Sequence, residues 1–160
     1  MIEYPKYKKV LFCTDFSVSS DCAFDYAFGV AKRDDSILYI VHVLPVNPQK
    51  NYLDLYISKK HQDRITAGVR KDMERLFEEK YLQYVKDRSK VRVVILEGRE
   101  DYEILKFARK EKVDLITIGT HGRTGIAHAV FGSVAEKIIR RSHVPVFIIP
   151  YKKKTRRLVK

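Results

Sequence analysis

Cysteine is scarce in this chain, and its hydrophobic runs are short. Only two of the 160 residues are cysteines, Cys13 and Cys22, and their spacing matches neither a metal site nor a redox pair. We expect both to be buried structural thiols in a reducing compartment. The longest apolar runs, such as residues 37–43, are too short to span a bilayer, and the first residues lack the layout of a secretion signal. These absences predict a cytoplasmic protein that does not enter a membrane.

Motifs of catalysis are also missing. The chain contains no Gly-Lys-Ser/Thr motif of the Walker type. No side chains stand out as a nucleophile with its general base. His61, His128 and His143 have no metal-ligand spacing with any Cys, Asp or Glu. The sequence therefore predicts neither a catalytic residue nor a metal site.

Acidic residues are absent from positions 151–160, which hold six Lys or Arg residues. The formal net charge of the chain is +12, so this basic tail supplies half of the excess. Two interpretations stay open: a solvated chain end, or a segment that contacts nucleic acid or anionic lipid. A composition of 45% hydrophobic and 32% charged residues is typical of a globular domain. We predict one domain over residues 1–150, followed by the tail 151–160.

Two hydrophobic periodicities alternate along the sequence. Continuous apolar runs predict five strands, at residues 10–13, 37–43, 91–96, 115–118 and 146–149. Helical periodicity predicts four helices, one after Ser17 and others over 57–84, 102–111 and 133–141. Strands that are apolar on both faces and separated by helices indicate a parallel sheet covered on both sides. The predicted fold class is a doubly wound α/β domain.

The helix patterns also predict which faces are buried. In the first helix, capped by Ser17, apolar residues recur every fourth position from Val18 to Val30, with Cys22 and Tyr26 between them. In the long second helix the apolar stripe runs from Ile65 and Val69 through Met73 and Leu76 to Phe77. We expect both stripes to face the sheet. His42, on the second strand, is expected to be a hydrogen-bonded core histidine.

A glycine-rich segment lies between the fourth strand and the fourth helix. It reads Gly119-Thr120-His121-Gly122, then nine residues, then Gly132-Ser133. Glycine lets other groups approach the backbone closely, and a helix start offers free N–H groups and positive potential to an anion. The pattern predicts a phosphate site. A structural loop with a helix cap is the alternative for this segment.

The spacing Gly119-x-x-Gly122-x9-Gly132-Ser133, with Asp15 after the first strand, resembles the ATP-binding branch of the universal stress protein family. The similarity extends from Lys8 to Ile149. It implies a three-layer, doubly wound, Rossmann-like sheet of five parallel strands in the order 3-2-1-4-5, of the adenine nucleotide alpha hydrolase-like type. Strands one and four would then be neighbours, and a ligand crevice would open at their carboxyl ends.

The resemblance also implies how a nucleotide would lie. Adenine would contact Val43 and Asp15, ribose would meet Gly119, and the triphosphate would follow the glycine segment. The implied nucleotide-binding residues are Thr14, Asp15, Val43, Ile118, Gly119, His121, Gly122, Arg123, Gly132, Ser133 and Val134. The chain departs from the family pattern in three ways. Cys13 stands where many relatives have another small residue or proline, Ala135 has no hydroxyl group where some ATP-binding relatives have one, and the basic tail follows the last strand, soon after which most relatives end.

Some of these residues also have a plainer interpretation. Asp15 could serve only to cap the first helix. His121 and Arg123 could face solvent instead of phosphate. These alternatives stay open at this point.

The function implied by the resemblance is that of an ATP-binding stress-response or regulatory factor. Mg²⁺ would arrive with the nucleotide, and hydrolysis would be slow at most. A homodimer would form through the last strand, Val146–Ile149. Three alternatives remain open: a nucleotide-free interaction module, a protein that associates with nucleic acid through its basic tail, and an adenylate-transferring enzyme. We expect no membrane partner, and the lack of a recognition motif argues against nucleic acid.

Overall fold

The computed structural model describes residues 4–46, 58–120 and 131–151. His121, Gly122, Arg123 and residues 152–160 of the basic tail lie outside these ranges. The strands are β1 (Lys9–Cys13), β2 (Ile37–Leu44), β3 (Val91–Glu97), β4 (Leu115–Gly119) and β5 (Val146–Ile149). The helices are α1 (Val18–Asp34), α2 (Lys59–Lys80), α3 (Glu100–Lys110) and α4 (Ser133–Arg141), with a short 3₁₀ helix at Leu82–Tyr84.

All five strands are parallel, and their order is β3-β2-β1-β4-β5. β1 lies at the centre, with Val10 beside Leu38 of β2 on one side and beside Leu115 of β4 on the other. The chain therefore leaves β1 towards one edge of the sheet and leaves β4 towards the other. This confirms the predicted fold class and strand order.

Two hydrophobic layers separate the sheet from its helices. On one face, Phe12 and Phe24 meet the end of α2 at Phe77 and Tyr81, all at most 1% exposed. On the other face, α3 and α4 cover Leu11, Val41 and Ile116. Burial of aromatic and branched side chains on both faces stabilises the three inner strands, β2, β1 and β4, and explains why they are almost continuously apolar.

The buried face of α1 differs from the predicted stripe. Ser17 caps the helix as predicted, because its hydroxyl oxygen accepts from the Ser20 amide at 3.2 Å. However, Val18 and Tyr26 are 61% and 49% exposed. The face towards the sheet is made instead of small residues, Ala23, Ala27 and Ala31, together with Phe24. Small side chains let the helix axis approach the sheet closely. Because alanines add little to a hydrophobic periodicity, the sequence pattern did not identify this face.

The stripe of α2 is buried only in its second half. Phe77 is 1% exposed and Met73 is partly buried, whereas Ile65 and Val69 are 58% and 39% exposed. The first half of the helix therefore extends beyond the sheet that it covers. Within the described residues, no helix is long and apolar enough to cross a membrane.

Candidate functional site

A cavity of about 440 Å³ opens at the carboxyl edge of the sheet, where β1 and β4 end side by side. Its size falls in the range of small-molecule sites, and its walls are mainly apolar. Eight of the predicted nucleotide-binding residues line it: Thr14, Asp15, Val43, Ile118, Gly119, Gly132, Ser133 and Val134. The structure therefore brings together every predicted site residue that it describes.

The loop after β1 supplies one wall of this cavity. Thr14 continues the sheet by donating its amide to the Val41 carbonyl at 2.9 Å. The side chain of Asp15 accepts from the Ser17 amide at 3.0 Å, which forms a tight turn before α1. Asp15 thus supports the helix start and also lines the cavity, so the two interpretations of this residue are compatible.

His42 fixes this loop from β2. Its Nδ1 atom lies 2.7 Å from the Thr14 carbonyl oxygen, and because a carbonyl only accepts, Nδ1 carries the proton. The ring of Phe16 lies 4.7 Å from the His42 ring, centroid to centroid. Phe16 itself has a φ of +62°, a left-handed conformation that is unfavourable for a bulky residue. His42 is a hydrogen-bonded core residue, as predicted, and it also borders the cavity.

The start of α4 supplies the opposite wall. Ser133, Val134 and Ala135 occupy the first turn, and all three line the cavity. Glu136 is the first residue of the helix whose amide has a backbone acceptor, the Gly132 carbonyl at 3.0 Å. Among the described residues, no acceptor pairs with the amides of Ser133, Val134 and Ala135. Three residues at the positive end of a helix, whose N–H groups have no acceptor in the described part of the chain, therefore line one cavity.

Gly132 contributes less to anion binding than its place in the glycine spacing suggests. It is the N-cap of α4 with φ −69° and ψ 156°, an extended conformation open to any residue. Its own amide is already donated to the Thr120 carbonyl at 2.6 Å. The anion-binding capacity of the segment thus lies in the residues that follow Gly132.

Several lining residues were not among the predicted nucleotide-binding residues. The most informative are Met73 of α2, Glu100 and Ile104 of α3, and Pro45 after β2. None of them belongs to a local motif, because each reaches the cavity through the packing of a separate element. The helical spacing of Met73 with Ile65 and Val69 did predict that Met73 faces inwards. Glu100 lies one helical turn before Ile104, which is buried.

The charges around the cavity are unevenly placed. Asp15 and Glu100 are the only ionisable carboxylates among its described lining residues, and none of those residues is Lys or Arg. Cys13, also in the wall, is 4% exposed, and burial raises the pKa of its thiol to about 12. A thiol with that pKa stays protonated and behaves as an apolar group. In the described ranges, no three His, Cys, Asp or Glu side chains are grouped to hold a metal ion.

A second, more open groove of about 970 Å³ lies at the amino edge of the sheet, lined by Tyr4, Tyr7, Arg33, Asp34 and Phe147. The nearest helix terminus there is the end of α1, which ends at Asp34. The carboxyl end of a helix dipole is negative and repels anions. The cations Lys6 and Arg33 line this groove, but of the two openings only the carboxyl-edge cavity is bordered by the start of a helix, the end that attracts anions.

The fold and the cavity together define a doubly wound α/β protein with a ligand crevice at its topological switch point. The family model of the universal stress protein family matches residues 6–150. The chain belongs to this family, which confirms the resemblance seen in its glycine spacing.

Curated relatives extend over most of the chain. It is 32% identical to universal stress protein MJ0531 of Methanocaldococcus jannaschii, over 92% of this chain and 85% of that protein. It is 30% identical to universal stress protein MJ0577 of the same organism, over 91% of this chain and 96% of that protein. These alignments show that the similarity is not confined to the glycine segment.

Solved structures show the same fold. That of MJ0577 superposes with a TM-score of 0.74 at 29% identity, over 94% of this chain and 100% of that chain. Universal stress protein UspA from Lactobacillus plantarum gives a TM-score of 0.70 at 19% identity, over 91% and 99%. A universal stress protein in complex with cAMP gives 0.58 at 24% identity, over 91% and 98%.

Proposed function

We propose that this protein binds an adenine nucleotide, in particular ATP, in the carboxyl-edge cavity. One observation supports this above all: the amides of Ser133, Val134 and Ala135 have no acceptor among the described residues, and their residues line the cavity. Amides at a helix start bind phosphate oxygens through hydrogen bonds and the helix dipole. A protein of the same fold in complex with cAMP supports the choice of an adenine base.

For the placement of the nucleotide we propose the arrangement that the family resemblance implies. The triphosphate lies at the start of α4, and the base lies towards Val43 and Asp15, with the ribose beside Gly119. His121, Gly122 and Arg123 belong to the same proposed phosphate segment. Mg²⁺ enters with the triphosphate, whose charge it neutralises.

Isothermal titration with Mg-ATP tests this proposal, with Ser133→Pro as the informative variant. Proline is accepted at the first helical position, and the extended Gly132 before it has the backbone that a pre-proline residue prefers. The substitution removes an amide that has no acceptor among the described residues, so the melting temperature should stay unchanged. Affinity for ATP should fall at least about tenfold, because a hydrogen bond to a charged group is lost.

Ser133→Ala is the matched control, since it removes only the hydroxyl group and should cause a smaller loss. The absence of binding heat from the unmodified protein at millimolar ATP would refute nucleotide binding. Equal affinities of Ser133→Pro and the unmodified protein would place the phosphates elsewhere.

We also infer that the bound nucleotide acts as a regulatory ligand and is hydrolysed slowly at most. Fast hydrolysis needs a positioned water and strong neutralisation of the γ-phosphate. None of the described residues that line the cavity is Lys or Arg, so the described wall supplies no cation to neutralise the γ-phosphate. A phosphate-release assay with Mg-ATP tests this, and turnover on the scale of common enzymes, about 1 s⁻¹ or more, would contradict it.

The last strand supports a homodimer. β5 pairs with β4 on one side, and no other described strand borders its second side. Its Phe147 is 37% exposed. An apolar edge strand pairs readily with another copy of itself, and symmetric pairing would satisfy its free backbone groups.

Sedimentation over a range of concentrations tests the dimer, with Phe147→Lys as the variant. A charge on an edge strand opposes pairing, so the variant should sediment as a monomer where the unmodified protein is a dimer. An unmodified protein that remains monomeric at the highest concentration would refute the dimer. ATP titration of both forms then shows whether the two proposed properties are linked.

A further inference from the structure

Two helices, α3 and α4, start at the edge of the same cavity. They follow parallel strands, lie on the same face of the sheet and contact each other. Both therefore direct the positive end of their dipoles towards the opening. Glu100 and Ile104 of α3 line the cavity, as does the first turn of α4.

The first turns of these helices differ in charge. That of α3 carries Glu100, Asp101 and Glu103, whereas Glu136 is the only acidic residue in the first turn of α4. Asp101 and Glu103 are paired with cations, but the Glu100 carboxylate in the cavity wall repels phosphate, so the start of α3 is unsuitable for the anionic end of a ligand. A nucleotide bound in this cavity therefore directs its phosphates to α4 and presents its uncharged end to α3.

Of the three acids in the first turn of α3, Glu100 is the one available to a ligand. Asp101 is 2% exposed and bonds Arg99 and Arg141 at 3.0 and 3.3 Å. Glu103 pairs with Lys106 at 3.5 Å. Glu100 is partly buried and lines the cavity, and it has no hydrogen-bond or ion-pair partner in the described part of the chain.

The position of Glu100 is fixed by the residues before and after it in the chain. The amide of Gly98, two residues earlier, donates to the Leu44 carbonyl at 3.0 Å, which ties the turn to the end of β2. Ile104, one helical turn later on the same face of α3, is 4% exposed in the core. Glu100 is thereby held beside the end of β2, where Val43 and Pro45 form the wall of the proposed base pocket.

We propose that the Glu100 carboxylate accepts a hydrogen bond from the exocyclic amine of the base and thereby selects adenine over hypoxanthine. An ionised carboxylate only accepts hydrogen bonds. Adenine offers it an N–H donor, whereas hypoxanthine places at the same ring position a carbonyl oxygen, which cannot donate and is repelled by the carboxylate. The inference rests on the proposed nucleotide site and assigns its base specificity to one residue.

Paired titrations with Mg-ATP and Mg-ITP test this inference. The unmodified protein should prefer ATP at least about tenfold, since a site built to accept from a ligand rejects an analogue without the donor. In Glu100→Gln, the carboxamide oxygen can accept from the amine of adenine, and its NH₂ group can donate to the carbonyl of hypoxanthine. The preference for ATP over ITP should therefore fall about tenfold. Glu103→Gln removes the same charge from the same helical turn outside the cavity wall, and it should leave the ratio unchanged.

The possible outcomes separate the two proposals. If the unmodified protein binds neither nucleotide, the proposed nucleotide site itself fails. If it binds ATP and ITP equally, or if Glu100→Gln strengthens both to the same extent, nucleotide binding stands and the role of Glu100 in base selection is refuted. Melting curves of all three proteins confirm that the comparison is made between folded forms.

Discussion

Gly119, one of the glycines of the motif, also has a structural role. A Cβ atom at this position would lie 2.7 Å from the Ser19 hydroxyl oxygen and 2.8 Å from the Ser19 carbonyl oxygen. The sequence pattern assigns Gly119 to the ligand, and the residue does border the cavity. The close approach of α1 to the end of β4 requires a glycine there in addition.

We therefore expect Gly119→Ala to destabilise the protein by about 1–3 kcal/mol, because the added methyl group meets backbone that cannot easily move. Gly29→Ala is the matched control: Gly29 lies within α1 with nothing within 4 Å of its Cβ position. Alanine should stabilise that helix by about 0.5–1 kcal/mol. Urea unfolding of both variants measures the difference, and changes of the same sign would contradict the steric argument.

Cys13 provides a second test at the same scale. Because burial raises the pKa of its thiol to about 12, almost no thiolate is present near pH 8. In a Cys22→Ala protein, where Cys13 is the only thiol, alkylation by iodoacetamide at pH 8 should be negligible in buffer and complete in denaturant. Rapid labelling of the folded protein would show that the wall of the cavity opens.

At the scale of elements, the sequence predicted the strands better than the faces of the helices. Buried parallel strands are continuous apolar runs, so each predicted strand agrees with the structure to within one residue at either end. The buried face of α1 was predicted only in part: Cys22 and Val30 pack inwards as predicted, but Val18 and Tyr26 are exposed and most of the contact residues are alanines. In α2, periodicity identified the stripe but not the point where the sheet ends, which depends on the lengths of other elements.

The end of α2 is joined to the loop after β1 through Tyr81. This residue is 0% exposed, and its hydroxyl group donates to Asp21 at 2.9 Å and lies 2.6 Å from the Thr14 hydroxyl oxygen. Asp21 also pairs with Lys80 at 2.8 Å. Burial raises the pKa of Tyr81 well above its usual value, so the phenol remains a donor at every physiological pH.

Tyr81→Phe should destabilise the protein by about 1–3 kcal/mol, because it removes the hydrogen bond to the charged Asp21 carboxylate and one of the partners of the Thr14 hydroxyl group, which keeps its bonds to Ser20 and Phe16. Tyr102→Phe is the control, since Tyr102 is 54% exposed and keeps its ring against Arg99 and Lys106. That change should stay within about 0.5 kcal/mol. Thermal and urea unfolding decide between the two expectations, and equal effects would refute the role of the buried hydroxyl group.

At the scale of the whole molecule, the strand order brings distant segments to one edge. The glycine spacing predicted the β4 side of the cavity, and the family resemblance supplied the order that places Asp15 beside it. Met73 and Glu100 could not be predicted in the same way. They reach the cavity because α2 and α3 pack on opposite faces of the sheet, a relation that no local pattern encodes.

The segment before β1 is joined to the end of α1 by a carboxylate whose protonation has a predictable effect on stability. Asp34, at the end of α1, accepts from the Arg33 guanidinium at 2.7 Å and from the Tyr7 amide at 3.1 Å. The Arg33 bond, followed by the Tyr7 bond, lowers the pKa of Asp34 to about 2. A lowered pKa means that the folded state favours the ionised form.

This contribution to stability is therefore present above about pH 4, the usual range of an unfolded aspartate, and is lost as the pH falls towards 2. Asp34→Asn should make the free energy of unfolding depend less steeply on pH between 4 and 2. Urea unfolding at several pH values measures both slopes. Parallel slopes would show that Asp34 is not linked to folding.

The central position of β1 also has a consequence for synthesis. β1 is made first among the strands, yet Val10 pairs with Leu115, far along the chain. A chain still on the ribosome cannot close its sheet until β4 has left the exit tunnel. The crevice is complete only after α4 has been made and folded. A newly made molecule can therefore bind a ligand only at the end of its synthesis.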